Sequence, residues 1–90
     1  MRGILVEDVR RLLGKRIRAL RLEQGLSQEQ LGERAGLHRN FVGLVERAER
    51  ACSITTVAKI ADGLGVNVHE LFVFPESEEQ AGRKDRQPGH

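Results

Sequence analysis

Apolar residues recur early in the chain at spacings of three and four, with Val9, Leu12, Leu13, Ile17 and Leu20 on one stripe. That period predicts an amphipathic helix from Asp8 to Gln24, ended by Gly25. Arg10, Arg11, Lys15, Arg18 and Leu22 lie off the stripe. Gly14 falls in mid-helix, where it costs about 1 kcal/mol against alanine, and nothing in the pattern accounts for it. Leu26 is expected to pack inward. Two shorter periods follow. Ser27 is a suitable N-cap, and Gln30 three residues on completes a capping box. Leu31 and Ala35 share one face of the helix so begun, and Gly36 can take the positive φ that stops it. Leu37, Val42 and Val45 then pack back on Leu31 and Ala35, which turns His38, Arg39, Asn40, Gly43 and Leu44 outward. The direction of Phe41 is ambiguous, and partial packing under the following loop is the reading taken.

After the loop Ala48–Cys52, Ser53 caps a further helix with Ile54, Val57, Ile60, Ala61 and Leu64 on one face, closed by Gly65 at C′. Asn67 is expected to cap a last short helix carrying Val68, Leu71 and Phe72, and Pro75 to stop regular structure. Glu76–His90 has almost no apolar content and mixed charge, which reads as a disordered tail. The expected fold class is therefore all-α, a compact bundle of about five helices, with residues 1–8 as an extension, 9–74 as the domain and 75–90 as the tail. The apolar patch Ile4–Val6 either extends the first helix or covers a surface of this or a partner subunit.

Composition narrows the function. Ninety residues make one domain with a modest core, and three Phe without Trp or Tyr make that core aliphatic. So few aromatics argue against a single-strand binder, which needs stacking platforms. Through Phe74 there are twelve Lys/Arg against nine Asp/Glu, and beyond it three against four, so the basic excess lies in the folded part. An excess that small carries no argument until its placement is known. Cys52 is the single cysteine, which excludes an internal disulfide and any cysteine-based metal spacing. A loop cysteine is read as a small turn residue before a redox sensor. No run approaches the ~18–20 apolar residues of a membrane span, and Met1–Val6 is too short, and too soon followed by acid, for a signal peptide. The expectation is a cytoplasmic protein with no membrane partner, no metal and no cofactor. His38, His69 and His90 form no constellation, and no nucleophile with an orienting group stands beside His38, so an enzyme reading has no support.

The run from Ser27 to Arg47, with small Gly32 where two helices cross and Gly36 at the turn, has the helix-turn-helix pattern. With its flanking segments, Leu13–Phe72 resembles the Cro/C1-type (XRE-like) regulators, whose fold is the lambda-repressor-like domain. LRLEQGLSQEQLGERAGLHRNFVGLVER is similar to the controller proteins of restriction–modification systems. Ala48 departs from the Gly or Asn common after the recognition helix, and the charged tail is extra. The resemblance implies a dimer on double-stranded DNA at an inverted-repeat operator, with the second helix of the motif in the major groove. It implies base contacts from the helix segment holding Arg39, Asn40, Gly43 and Leu44. Arg39 suits guanine and Asn40 suits adenine. Leu44 either meets a thymine methyl or packs on its own subunit or an interface; Gly43 either admits close backbone approach or is a tolerated small residue. Phosphate contacts are expected from Ser27 and Gln28 at a helix N-terminus, from His38 (alternatively the N-cap), and from Arg47 and Arg50. Arg21 and Glu46 are the positions the family often joins by a salt bridge. Leu71, Phe72, Val73 and Phe74 are the candidate dimer interface. An antitoxin that also binds a toxin protein, and a protein-interaction module, are the rival readings.

Overall fold

The computed structural model describes residues 6–74. Four α-helices, α1 Val6–Glu23, α2 Gln28–Ala35, α3 Arg39–Glu46 and α4 Ile54–Leu64, are followed by a 3-10 helix at Val68–Phe72. Capping chemistry sets the boundaries. The Ser27 hydroxyl accepts from the Gln30 N–H at 3.0 Å while Gln30 Oε1 accepts from the Ser27 N–H at 2.8 Å, a reciprocal box that starts α2. Gly36, at φ 73°, ends α2 in the left-handed region. Ser53 caps α4 through the Thr56 N–H, and His38 caps α3 by accepting from the Asn40 N–H at Nδ1, 3.0 Å away.

One aliphatic core unites all five elements. Ile17 of α1, Leu31 of α2, Val42 of α3, Ile60 of α4 and Leu71 of the 3-10 helix are fully buried, each worth about 1.5–3 kcal/mol against exposure. Leu37, Phe41, Cys52, Val66 and Phe74 pack partly against it. Two side chains tie the long α1 to the C-terminal half: Arg16 Nε donates to the Glu70 carbonyl at 2.8 Å, and Gln24 Nε2 to the Leu64 carbonyl at 2.7 Å.

Four sequence expectations need correction. The first helix begins at Val6, two residues before the expected start at Asp8, so of the Ile4–Val6 patch Val6 extends that helix; Ile4 and Leu5, like the tail from Pro75, lie outside the described residues. The last element is a 3-10 helix, and Asn67 makes no side-chain cap bond; five residues offer too few ladder bonds for more, and burial of Leu71 holds it in place. Ile54 does not share the buried face of α4 but is 87 % exposed, because it occupies the first turn, before α4 enters the core. Leu71, assigned to a dimer surface, is 0 % exposed. It is enclosed by its own subunit and has no surface to offer.

Candidate nucleic-acid interface

The two ends of α3 are held differently. At its C-terminal end, Glu46 is buried and accepts two bonds from Arg21, from Nε at 2.7 Å and from Nη2 at 3.0 Å. The third guanidinium nitrogen, Nη1, donates to the Leu26 carbonyl at 2.8 Å. Gln28, at the start of α2, donates from Nε2 to Glu46 Oε1 at 3.1 Å. One carboxylate thus joins α1, α2 and α3, and among the described residues no buried side-chain polar atom lacks a partner. A buried pair of this kind fixes geometry more than it adds net stability.

Gly14 gives the same junction its closeness. An added Cβ there would stand 2.5 Å from both the Val45 and Glu46 carbonyl oxygens, so only glycine lets α1 lie against the last turn of α3. That is the reason for a helix-interior glycine, and a mid-helix glycine on an otherwise periodic stripe is the sequence signal for such a contact.

The N-terminal end of α3 stands in solvent. His38, Arg39 and Asn40 are exposed. Arg39 lies 3.7 Å from Glu29 of α2, and both side chains are about three-fifths exposed, so the pair holds Arg39 only weakly. The Asn40 side chain is exposed beside Gln28, Gly43, Leu44 and Arg47, with which it lines a shallow hollow of ≈280 Å³ on this face. Leu44 is half-buried. Gly43, expected to point outward, is buried, covered by the ends of the Gln28 and Arg47 side chains. It cannot itself meet a base as a protruding group.

The residues assigned to a nucleic-acid backbone fall into two sets. Ser27, Gln28 and His38 sit at the N-termini of α2 and α3, where Ser27 and His38 are occupied as caps and Gln28 shares one amide proton with Glu46. Arg47 and Arg50 follow α3. Arg47 Nε lies 3.4 Å from Glu49, and the Arg50 guanidinium rests over the Phe41 ring, 5.5 Å from its centroid, which keeps the loop after α3 closed over that ring. Ala48, in this loop, has φ 61°.

Cys52 is half-buried against the core, and burial pushes its thiol up from the ordinary value. A raised thiol is less reactive, in keeping with a small packed residue. Val9, Leu13, Cys52, Ile54, Val57 and Phe72 line a separate apolar groove of ≈490 Å³; Phe72 is 42 % exposed and its ring meets that of Phe74 edge-on at 6.1 Å. Among the described residues no group of His, Cys, Asp and Glu is arranged to hold a metal, and no helix is long and apolar enough to cross a membrane.

Residues 17–71 match the helix-turn-helix family model HTH_3. Among curated proteins, the chain is 41 % identical over 65 residues to the control protein C.SmaI of Serratia marcescens, covering 72 % of this chain and 77 % of that one. Among solved structures it is similar to the restriction–modification controller protein C.AhdI from Aeromonas hydrophila, with TM-score 0.68 and 44 % identity over 69 % of this chain and 94 % of that one. The hypothetical transcription factor NHTF from Neisseria aligns with TM-score 0.75 and 30 % identity, covering 90 % and 94 % of the two chains.

Proposed function

Because this chain belongs to the Cro/C1-type helix-turn-helix DNA-binding transcription regulators, a family without enzymatic activity, we propose that it binds one operator as a homodimer. Each subunit lays α3 in the major groove. The observation that carries the reading is the asymmetry of α3, whose C-terminal end is locked by Arg21, Glu46 and Gln28 while Arg39 and Asn40 remain exposed at the other end. Arg39 and Asn40 have the donor and acceptor sets for guanine and adenine edges. Leu44 stands one turn further along the same face, above Gly43. Ser27, Gln28, His38, Arg47 and Arg50 flank that face and supply phosphate contacts, which give affinity without sequence preference. The controller proteins among its relatives make control of a restriction–modification operon the first operator context to try.

One short helix reads few bases, and a second copy adds its own half-site. The apolar groove at Val9, Leu13, Ile54 and Phe72 is the surface for that second copy, since Ile54, 87 % exposed, and Phe72, 42 % exposed, stand together on one apolar patch. Phe72, Val73 and Phe74 adjoin it; Leu71 does not take part.

Selection of bound sequences from random duplex DNA, at two salt concentrations, tests the reading. The expected product is an inverted repeat with half-sites roughly 34 Å apart. Tight but sequence-indifferent binding would replace it with an architectural role, and absence of binding would overturn it. Ile54→Asp, with sedimentation measured alongside, is expected to give monomers that bind a single half-site weakly.

A further inference from the structure

Charge is unevenly placed in this chain. Between Val6 and Glu23, six Lys/Arg stand against three Asp/Glu, whereas the rest of the chain through Phe74 has six against six. The whole basic excess up to Phe74 is therefore on α1. Folding uses two of the six cations: Arg21 is buried on Glu46, and Arg16 donates to the Glu70 carbonyl. Arg10 is half-buried at the edge of the apolar groove. Arg11, Lys15 and Arg18 are exposed. We propose that these three form a second phosphate-binding surface, which holds the DNA strand passing the C-terminal end of α3. The proposal rests on the reading of α3 as the groove-facing helix and extends it to a helix outside the motif.

Two contacts with α3 set the position of the row. Gly14 lies against the Val45 and Glu46 carbonyls, and Arg21 grips the Glu46 carboxylate. Arg18 stands one turn from each of them, and Arg11 one turn before Gly14; Lys15 lies one turn from both Arg11 and Arg18. The row thus follows the edge of α1 that adjoins the last turn of α3, beyond which Arg47 is also exposed. It spans about 10 Å at ~1.5 Å per residue, and one DNA strand carries about three phosphates in that length. Like charges three and four residues apart oppose helix formation. The Asp8–Arg11 pair offsets little of this, since it is 3.9 Å long and both side chains are about half exposed. A polyanion laid along the row relieves the repulsion. Contacts of this kind add affinity without sequence preference, because α1 stays outside the groove and meets only the backbone.

The test uses the full chain and the operator obtained by selection. The triple variant Arg11→Gln, Lys15→Gln, Arg18→Gln keeps good helix formers at all three positions. Its plot of log affinity against log salt should be shallower by about 2–3 per subunit, at about 0.9 for each phosphate released. Preference at each operator base pair should not change, and the melting temperature should hold or rise. Arg11→Lys with Arg18→Lys retains the charges and should retain the wild-type slope. Neutral methylphosphonate linkages, placed one at a time along the operator, locate the contacts. About three neighbouring positions on one strand of each half-site should weaken the wild-type protein and leave the triple variant unaffected. If the triple variant does not fold, Lys15→Gln alone should lower the slope by about 0.9 per subunit. An unchanged slope in the neutral variants, a loss shared by the lysine variant, or a methylphosphonate map identical in wild type and triple variant would each overturn the proposal while leaving the regulator reading intact. Failure of selection to yield any operator would remove the proposal together with the reading on which it rests.

Discussion

At Glu46 the last turn of α3 is enclosed by α1 and α2, with a bidentate guanidinium, an amide and a glycine-to-backbone contact converging on it. At Arg39, seven residues away on the same helix, the side chain stands in solvent with one loose ion pair to Glu29. The buried end is over-determined: each charged or polar atom there has a partner, and loss of any one leaves another stranded in low dielectric. The exposed end has little to lose on substitution. A helix built this way can change the residues at its open end without changing its own placement, which is the property the proposed role of α3 in the major groove asks of it.

The largest effect expected is at the enclosed end. Glu46→Ala strands Arg21 with only the Leu26 carbonyl for a partner and should cost about 3–5 kcal/mol, a large share of the ~5–15 kcal/mol that holds a domain together. Urea denaturation measures it. The double variant Arg21→Met with Glu46→Leu sharpens the comparison, because replacing both members of a buried pair by apolar groups is often close to neutral. If that variant keeps its stability but loses operator affinity, the pair acts by orienting α3. Equal stability and equal affinity would mean that helix packing alone sets the orientation.

Gly14→Ala comes next. The substitution gains about 1 kcal/mol in helix propensity, yet its Cβ meets two carbonyl oxygens at 2.5 Å that belong to backbone and cannot rotate away. We expect a net loss of about 1–3 kcal/mol from overpacking, seen as a lower melting temperature. A rise in melting temperature would show that α1 and α3 separate at little cost, and the contrast between the two ends of α3 would weaken.

At the open end the effect moves from stability to binding. Arg39→Ala and Asn40→Ala should each cost about 1–3 kcal/mol of operator binding and relax preference at one base pair, with the urea midpoint unchanged. Arg47→Ala should instead weaken binding to all sequences alike and reduce the salt slope by about one. A fall in stability for either readout variant would mean that the open end is also structural, contrary to its exposure.

Much of this contrast is legible in the sequence because it rests on local rules. The caps at Ser27 and Ser53, the stops at Gly36 and Gly65 and the apolar spacing of α1 depend on neighbours in the chain, and the structure has each of them. What sequence reasoning missed depends on distant partners. The use of Gly14 is visible only once Val45 and Glu46 are brought against it. The bond from Gln28 to Glu46 spans 18 residues and leaves no periodic trace. Ile54 and Leu71 differ from expectation because residue type and helical periodicity give the apolar side of a helix but not how far along its axis the core extends. Ile54 overshoots the core at the start of α4, whereas Leu71 plugs into it from a single 3-10 turn. Within the candidate interface, residue types pointed to Arg39, Asn40 and Leu44, but the burial of Gly43 under Gln28 and Arg47 required coordinates.

The smallest effect expected lies just beyond the enclosed end. Ala48 holds φ 61°, the only positive φ of a non-glycine residue among those described, and a Cβ in that region costs roughly 1–2 kcal/mol. Glycine at this position escapes the penalty but loses more entropy on folding, by about 0.5–1 kcal/mol. The balance favours Ala48→Gly by about 0.5–1 kcal/mol, and Ala48→Asn by a similar or smaller amount, since asparagine tolerates the left-handed region while keeping a side chain. Thermal denaturation checks the gain, and operator affinity measured on the same samples should not change, because Ala48 follows the anchored turn of α3 and Glu46 already fixes that turn. An affinity that rises with stability would mean that strain at Ala48 reaches the reading end, and that the two ends of α3 are coupled through the helix rather than independent.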